Sequence, residues 1–154
     1  MLRVYVETSV WGTSAPGQNP TLRKPTLEFL SQREQGGFLP HLSAIVTDEL
    51  NLAPAKSRGQ ILQRLERIRP VKLDITDDVS ILASRFLHEG VLPAKPLEDA
   101  EHVACAIVHG LNVLVSWNFR HIANARKAVA FREIAARAGY SKQPEIHTPL
   151  EVLA

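Results

Sequence analysis

Four polar residues stand where strands should end or helices begin: Glu7 in Val-Tyr-Val-Glu-Thr-Ser, Glu49 in Val-Thr-Asp-Glu-Leu, Asp99 in Glu-Asp-Ala-Glu-His-Val-Ala and Asn118 in Leu-Val-Ser-Trp-Asn-Phe. They are remote from one another in the chain, but the strands of a parallel sheet end on one shared edge, where a fold can gather them. Converging carboxylates repel strongly unless a proton or a divalent cation lies between them. A metal site is therefore the first expectation, and metal-assisted phosphodiester hydrolysis is the chemistry such a site most often serves.

The elements that must position these residues follow from periodicity and punctuation. Leu2 to Val6 is rich in β-formers and reads as a strand that puts Glu7 at its carboxyl end. Gly12 to Pro25, with its Gly, Ser, Asn and Pro, reads as a long loop before a helix over about Thr26 to Gln35. A weak second strand follows at Phe38 to Leu42, and Ser43 is a fitting N-cap for a helix over Ala44 to Leu52 that carries Glu49. A basic amphipathic helix is expected from about Ser57 to Ile68, a third strand over Val71 to Ile75, and a helix from Thr76 to about Glu89. After the linker Pro93-Ala-Lys-Pro96 comes a helix from Leu97 to His109. Asn112 to Trp117 is the best candidate for a buried central strand and ends at Asn118. A helix over Ala123 to Ala138 and a short strand Glu145-Ile-His complete five strands alternating with helices. That order predicts a three-layer α/β fold with a parallel sheet.

A chain of 154 residues is about one domain long, so a single domain over 1–154 is expected. Its one cysteine, Cys105, sits in an apolar run, which excludes an intramolecular disulfide and fits a reducing compartment. Charge appears too early for a signal sequence and no apolar stretch nears the roughly 20 residues of a membrane span, so the expectation is a cytoplasmic protein without membrane contact. The net charge of +2 names no partner. Its distribution is uneven: Lys56, Arg58, Arg64, Arg67, Arg69 and Lys72 face only Glu66 in their stretch, whereas Asp74 to Glu101 is mostly acidic. Taken alone, Lys56, Arg64 and Arg67 are the solvated side of a helix whose other side is Ile61, Leu65 and Ile68. Beside an acidic metal site, the same face would suit a polyanion.

Each candidate also has a plainer reading. Acids at strand ends such as Glu7 are common, though Ser9 two residues on can orient its carboxylate. Asp99 lies in the first turn of its helix, where the dipole favours any carboxylate. His102 shares its face, while Ala100, Ala104 and Ala106 are small enough to let that helix approach the sheet. His102 suits a phosphate contact or a partner of the metal ligands, though a lone histidine there is more often a packed, hydrogen-bonded one. Asp48 and Glu49 differ by about 100° on a helix, so one at most faces the shared edge, and the apolar phase does not choose between them. The remaining histidines lack zinc-ligand spacing, and no phosphate loop, dinucleotide fingerprint or nucleophile elbow is present.

Taken together, Tyr5 to Trp11, Ser43 to Leu50, Glu98 to Ala104 and Leu114 to Asn124 make the chain resemble the PIN-domain nucleases, and within them the VapC-like toxins of bacterial toxin–antitoxin pairs. The resemblance spans nearly the whole chain. It implies a three-layer α/β/α PIN-like domain around a mainly parallel five-stranded sheet, and an endoribonuclease dependent on Mg²⁺ or Mn²⁺. By motif matching, Glu7, Glu49 and Asp99 take the acidic metal-binding roles, Asn118 the fourth position, and Ser9 and His102 supporting roles. Lys56, Arg64, Arg67 and Arg120 are then expected to contact RNA. An antitoxin protein laid along the active-site groove and a homodimer are the implied partners. Two departures stand out: Glu7 where Asp is usual, and Asn118 where Asp is usual, the second removing a negative charge. They leave a silent RNA-binding module as the alternative, while a phospho-accepting receiver-like domain lacks its paired acids and its lysine.

Overall fold

The computed structural model describes residues 1–92 and 96–153. Strands β1 (Leu2–Val6), β2 (Phe38–Ser43), β3 (Val71–Leu73), β4 (Val113–Val115) and β5 (Glu145–His147) form one all-parallel sheet of order β3-β2-β1-β4-β5. β1 is the middle strand, and its Val4-Tyr5-Val6 run is buried on both faces, as a strand covered by helices on either side must be. β4, expected at the centre, is equally buried but lies one place away, between β1 and β5.

The chain builds outward from β1 in one direction through β2 and β3, then crosses to the other side for β4 and β5. The strand order thus reverses between β1 and β4, and in open α/β sheets ligands bind at the carboxyl ends of the strands beside such a reversal. Glu7 follows β1 at that point, and its backbone N–H donates to the carbonyl of Val115 at 3.0 Å, which ties the two strand ends together.

Eight helices are present among the described residues: α1 (Thr8–Thr13), α2 (Pro20–Glu34), α3 (Ala44–Leu50), α4 (Ala55–Ile68), α5 (Asp77–His88), α6 (Leu97–Val108), α7 (Ala125–Arg137) and α8 (Pro149–Leu153). Helices α5, α6 and α7 pack together, and α2 packs against α1, α8 and β2. Several expectations need correction. The stretch 12–25 is not a long loop: α1 runs to Thr13, and α2 begins at Pro20, capped by the Asn19 side chain, which accepts from the Thr21 N–H at 3.0 Å. Proline at the first helical position is pre-shaped for a helix start, so the signal was one of initiation. Ser43 does occupy the N-cap position of α3, but its hydroxyl makes no cap bond and meets Tyr5 instead. β3 stops at Leu73, and α8 has no counterpart in the sequence reading. Of the expected linker, Pro93 to Lys95 lie outside the described residues. No described helix is long and apolar enough to cross a membrane.

The sheet's far edge carries a small titratable knot. His147 Nε2 lies 2.9 Å from Glu145 and its Nδ1 3.3 Å from Glu151, whose carboxylate also accepts from the Thr148 N–H. Burial lowers the His147 pKa, but the two carboxylates outweigh it and hold the imidazole above its ordinary 6.5. The Thr148 N–H, chiefly, holds Glu151 below its ordinary 4.5. The raised histidine contributes stability fully below about pH 6.5 and loses it as pH rises through the folded value, while the Glu151 contribution is lost as pH falls below about 4.5. These exposed pairs are worth less than about 1 kcal/mol. His147→Gln should therefore remove the fall in stability that begins as pH rises past about 6.5, as read by urea titration, and change stability least at alkaline pH.

Candidate metal centre

Glu7 is the best-anchored member of the site. It is the N-cap of α1, 4% exposed, and three donors converge on its carboxylate: the Ser9 N–H at 2.8 Å, the Ser9 hydroxyl at 2.7 Å and the buried Ser116 hydroxyl. Ser9 also accepts from the Trp117 N–H at 2.9 Å, and Ser116 from the Asn118 N–H at 2.9 Å, so the turn after β4 is laced onto the turn after β1. No lysine or arginine pairs with Glu7 among the described residues; the cationic partner in reach is His102, whose Nε2 is 4.0 Å away.

Glu49 reaches the same place from α3. Its Oε1 accepts from the Thr8 hydroxyl at 2.7 Å and lies 2.6 Å from His102 Nε2. Asp48, one residue earlier, is exposed and has no donor atom in the group formed by Glu7, Glu49 and His102. The alternative left open by helix phase thus falls to Glu49, because contact between α1 and α3 puts Thr8 beside it. Burial raises the Glu49 pKa, but the His102 and Thr8 hydrogen bonds outweigh it and the net shift is downward.

His102, wholly buried on α6, is the hub. Its Nδ1 is 2.7 Å from the Tyr5 hydroxyl, which in turn is 2.8 Å from Ser43 Oγ, and its Nε2 faces Glu49. Burial lowers its pKa, but Glu49, Glu7 and Asp99 together carry it above the ordinary value. A side chain with no exposed surface cannot touch a phosphate in solvent, so of its two expected roles only that of holding other groups fits. Tyr5 and Ser116 were not singled out from the sequence; Thr8 stood there only as a hydroxyl following Glu7 and Ser43 only as a helix N-cap. Ser116 had a signal, standing two residues before Asn118 as Ser9 stands two after Glu7.

Asp99 and Asn118 stand at the margin. Asp99, in the first turn of α6, pairs through Oδ2 with His121 Nδ1 at 2.7 Å. Asn118 uses its side-chain oxygen to accept from the His121 N–H at 2.9 Å, capping the turn that follows it. Glu7, Glu49 and His102 each offer a donor atom within 4.8 Å of the others, and this is the group of metal-ligating side chains so placed among the described residues. The donor set suits a metal ion: two carboxylates converge here with His102 as the one cationic partner in reach of both, so one negative charge stays uncompensated. Of the expected nucleic-acid contacts, Lys56 and Arg120 are exposed, Arg67 pairs with Glu34 at 3.0 Å, and Arg64 is half-buried.

No protein-family model matches the chain, and no curated protein matches it in sequence. Solved structures do. A chain of VapBC2 from Rickettsia felis, bound to a DNA fragment from its promoter, shares 16% identity over 96% of this chain and 98% of that one, with a TM-score of 0.56. A chain of DNA-bound VapBC from Salmonella typhimurium shares 17% identity over 97% and 99%, TM-score 0.56. A chain of VapBC-5 from Mycobacterium tuberculosis, a member of the VapBC family of toxin-antitoxin systems, shares 17% over 96% and 99%, TM-score 0.50. At such identities the likeness establishes the fold: a three-layer, PIN-like α/β domain with an all-parallel five-stranded sheet.

Proposed function

We propose that this chain is a metal-dependent endoribonuclease of the VapC toxin kind, acting through Glu7, Glu49 and Asp99 and restrained by an antitoxin protein. The observation that carries the reading is the convergence of Glu7 and Glu49, from different elements, at the strand-order reversal, with no lysine or arginine to neutralise them among the described residues. Near-complete coverage of VapBC chains adds support and suggests the antitoxin as partner.

Glu7, Glu49 and Asp99 would hold a hard divalent cation, Mg²⁺ or Mn²⁺, with the Asn118 amide as a neutral fourth group. Held by these residues, such a cation would supply Lewis acidity, which favours deprotonation of water and offsets charge on phosphoryl oxygens. The chain's own residues do the positioning. Ser9 and Ser116 fix both the distance and the direction of the Glu7 carboxylate, compensating for the extra methylene of Glu over Asp. His102 and Thr8 fix Glu49, and His121 restrains Asp99. Exposed Lys56 and Arg120 contact the RNA backbone, and the chain pairs with a second copy of itself.

The test is cleavage of labelled RNA by the purified chain, expected with Mn²⁺ and absent in chelator. Because Asn118 supplies no charge, Mg²⁺ should bind more weakly than Mn²⁺; calorimetry showing tight Mg²⁺ binding contradicts this. The second reading, a silent RNA-binding module, draws on the Asn118 oxygen and the Asp99 carboxylate already being engaged by His121. RNA binding without cleavage under any divalent cation would establish it.

A further inference from the structure

Two grooves border the carboxylate cluster, and they differ in charge. The one beyond Glu49, about 470 Å³, is lined by Asp48, Glu49, Glu98 and Glu101 among apolar side chains. The other, about 300 Å³, begins at Ser9 and runs between α1 and α4 past Gly12, Gln18 and Ser57, with no charged residue on its walls. A polyanion is repelled by the first and admitted by the second.

The uncharged groove leads towards arginines. Ser57, Ile61 and Arg64 recur at four- and three-residue intervals and so share one face of α4, with Arg64 about 10 Å along the helix from Ser57, close to the rise of three stacked nucleotides. Arg64 lines a further cavity of about 220 Å³ with Pro16, Gln60, Gln63 and Arg67. Its Nε is buried and finds no acceptor among the described residues. Arg67 is engaged by Glu34, and Arg23, anchored through Nε on the carbonyls of Ser14 and Ala15, contributes a third guanidinium nearby. Burial first, then the Arg67 and Arg23 charges, press the Arg64 pKa downward, and Glu34, already engaged by Arg67, offsets this only in part. A merely solvated basic face would leave this side chain free in water, as Lys56 is.

We infer that a nucleic-acid strand bound at the carboxylate cluster leaves it through the groove between α1 and α4, past Gly12 and Ser57, and rests a backbone phosphate on Arg64. This inference rests on the nuclease reading and adds the path of the substrate. Arg64 is only half-buried and lines the cavity beyond the groove, where its planar guanidinium can meet a phosphodiester's paired oxygens.

Fluorescence anisotropy of labelled single-stranded RNA, titrated in chelator over a series of salt concentrations, separates binding from cleavage. Arg64→Ala should weaken binding by about tenfold and lower the slope of log affinity against log salt by about one. Gly12→Leu tests the path without removing charge: a Cβ at Gly12 meets no atom within 4 Å, so a side chain can start there and project into the groove. It should weaken binding at least about fivefold with the salt slope unchanged. Glu98→Gln, on the acidic side, should leave binding equal or tighter. If Arg64→Ala fails to fold, Gly12→Leu and Arg64→Lys, which lacks the planar fork, carry the test and should both bind more weakly. Folded Arg64 and Gly12 variants that bind and cleave as wild type overturn the path and leave the nuclease reading standing. RNA binding lost in both variants, in a chain that cleaves nothing with Mn²⁺, supports the path and sinks the nuclease reading.

Discussion

Asp99→Asn is expected to lower RNA cleavage by about a hundredfold or more while changing unfolding free energy by less than about 1 kcal/mol. The side chain's contact is with His121, and an asparagine oxygen at the same place still accepts from Nδ1, so folding loses little. The proposed metal site loses a full negative charge at the same time. Glu7→Gln should abolish cleavage as well, but it is the poorer experiment. Three donors point at the Glu7 carboxylate, and an amide turns its own NH₂ towards at least one of them. A buried donor left without an acceptor costs about 1–3 kcal/mol, so lost activity in that variant mixes chemistry with folding. Cleavage of labelled RNA in Mn²⁺, read beside thermal melting, separates the two. An Asp99→Asn chain that cuts RNA within a few-fold of wild type would remove Asp99 from the proposed metal set.

The parts of the site legible in the sequence were those written in local pattern. Glu7 was readable because a strand of β-formers ends in an acid followed by two hydroxyls, and Glu49 because Ser43 marks a helix start six residues before it. The choice between Asp48 and Glu49 was not readable, since it depends on how α3 meets α1 and not on the phase of α3 itself. Tyr5 is an aromatic residue in a buried strand and looks like core. Only its hydroxyl's meeting with His102 and Ser43, from α6 and β2, gives it a polar task. Sheet order was likewise hidden, because alternation of strands and helices predicts parallel pairing but not which strand lies in the middle. Helix α2 was misjudged for a local reason: Asn19-Pro20 was counted among loop formers although that pair also opens helices.

His102→Ala should destabilise the fold by about 2–4 kcal/mol, the largest loss expected for any one polar side chain here. It empties a fully buried ring position and takes a partner from both Tyr5 and Glu49. Tyr5→Phe keeps the ring, removes the hydroxyl, and should cost about 1–2 kcal/mol, since Nδ1 of a buried imidazole and Ser43 Oγ each lose a partner. Because both variants break the same 2.7 Å hydrogen bond, the double variant should cost less than the two separate losses added together, by about 0.5–3 kcal/mol. Urea unfolding of the four proteins measures this coupling. Strict additivity would mean that the Tyr5–His102 bond contributes nothing to stability. The imidazole would then be held by Glu49 alone, and the link that joins the core of β1 to the carboxylate cluster would be a contact without an energy.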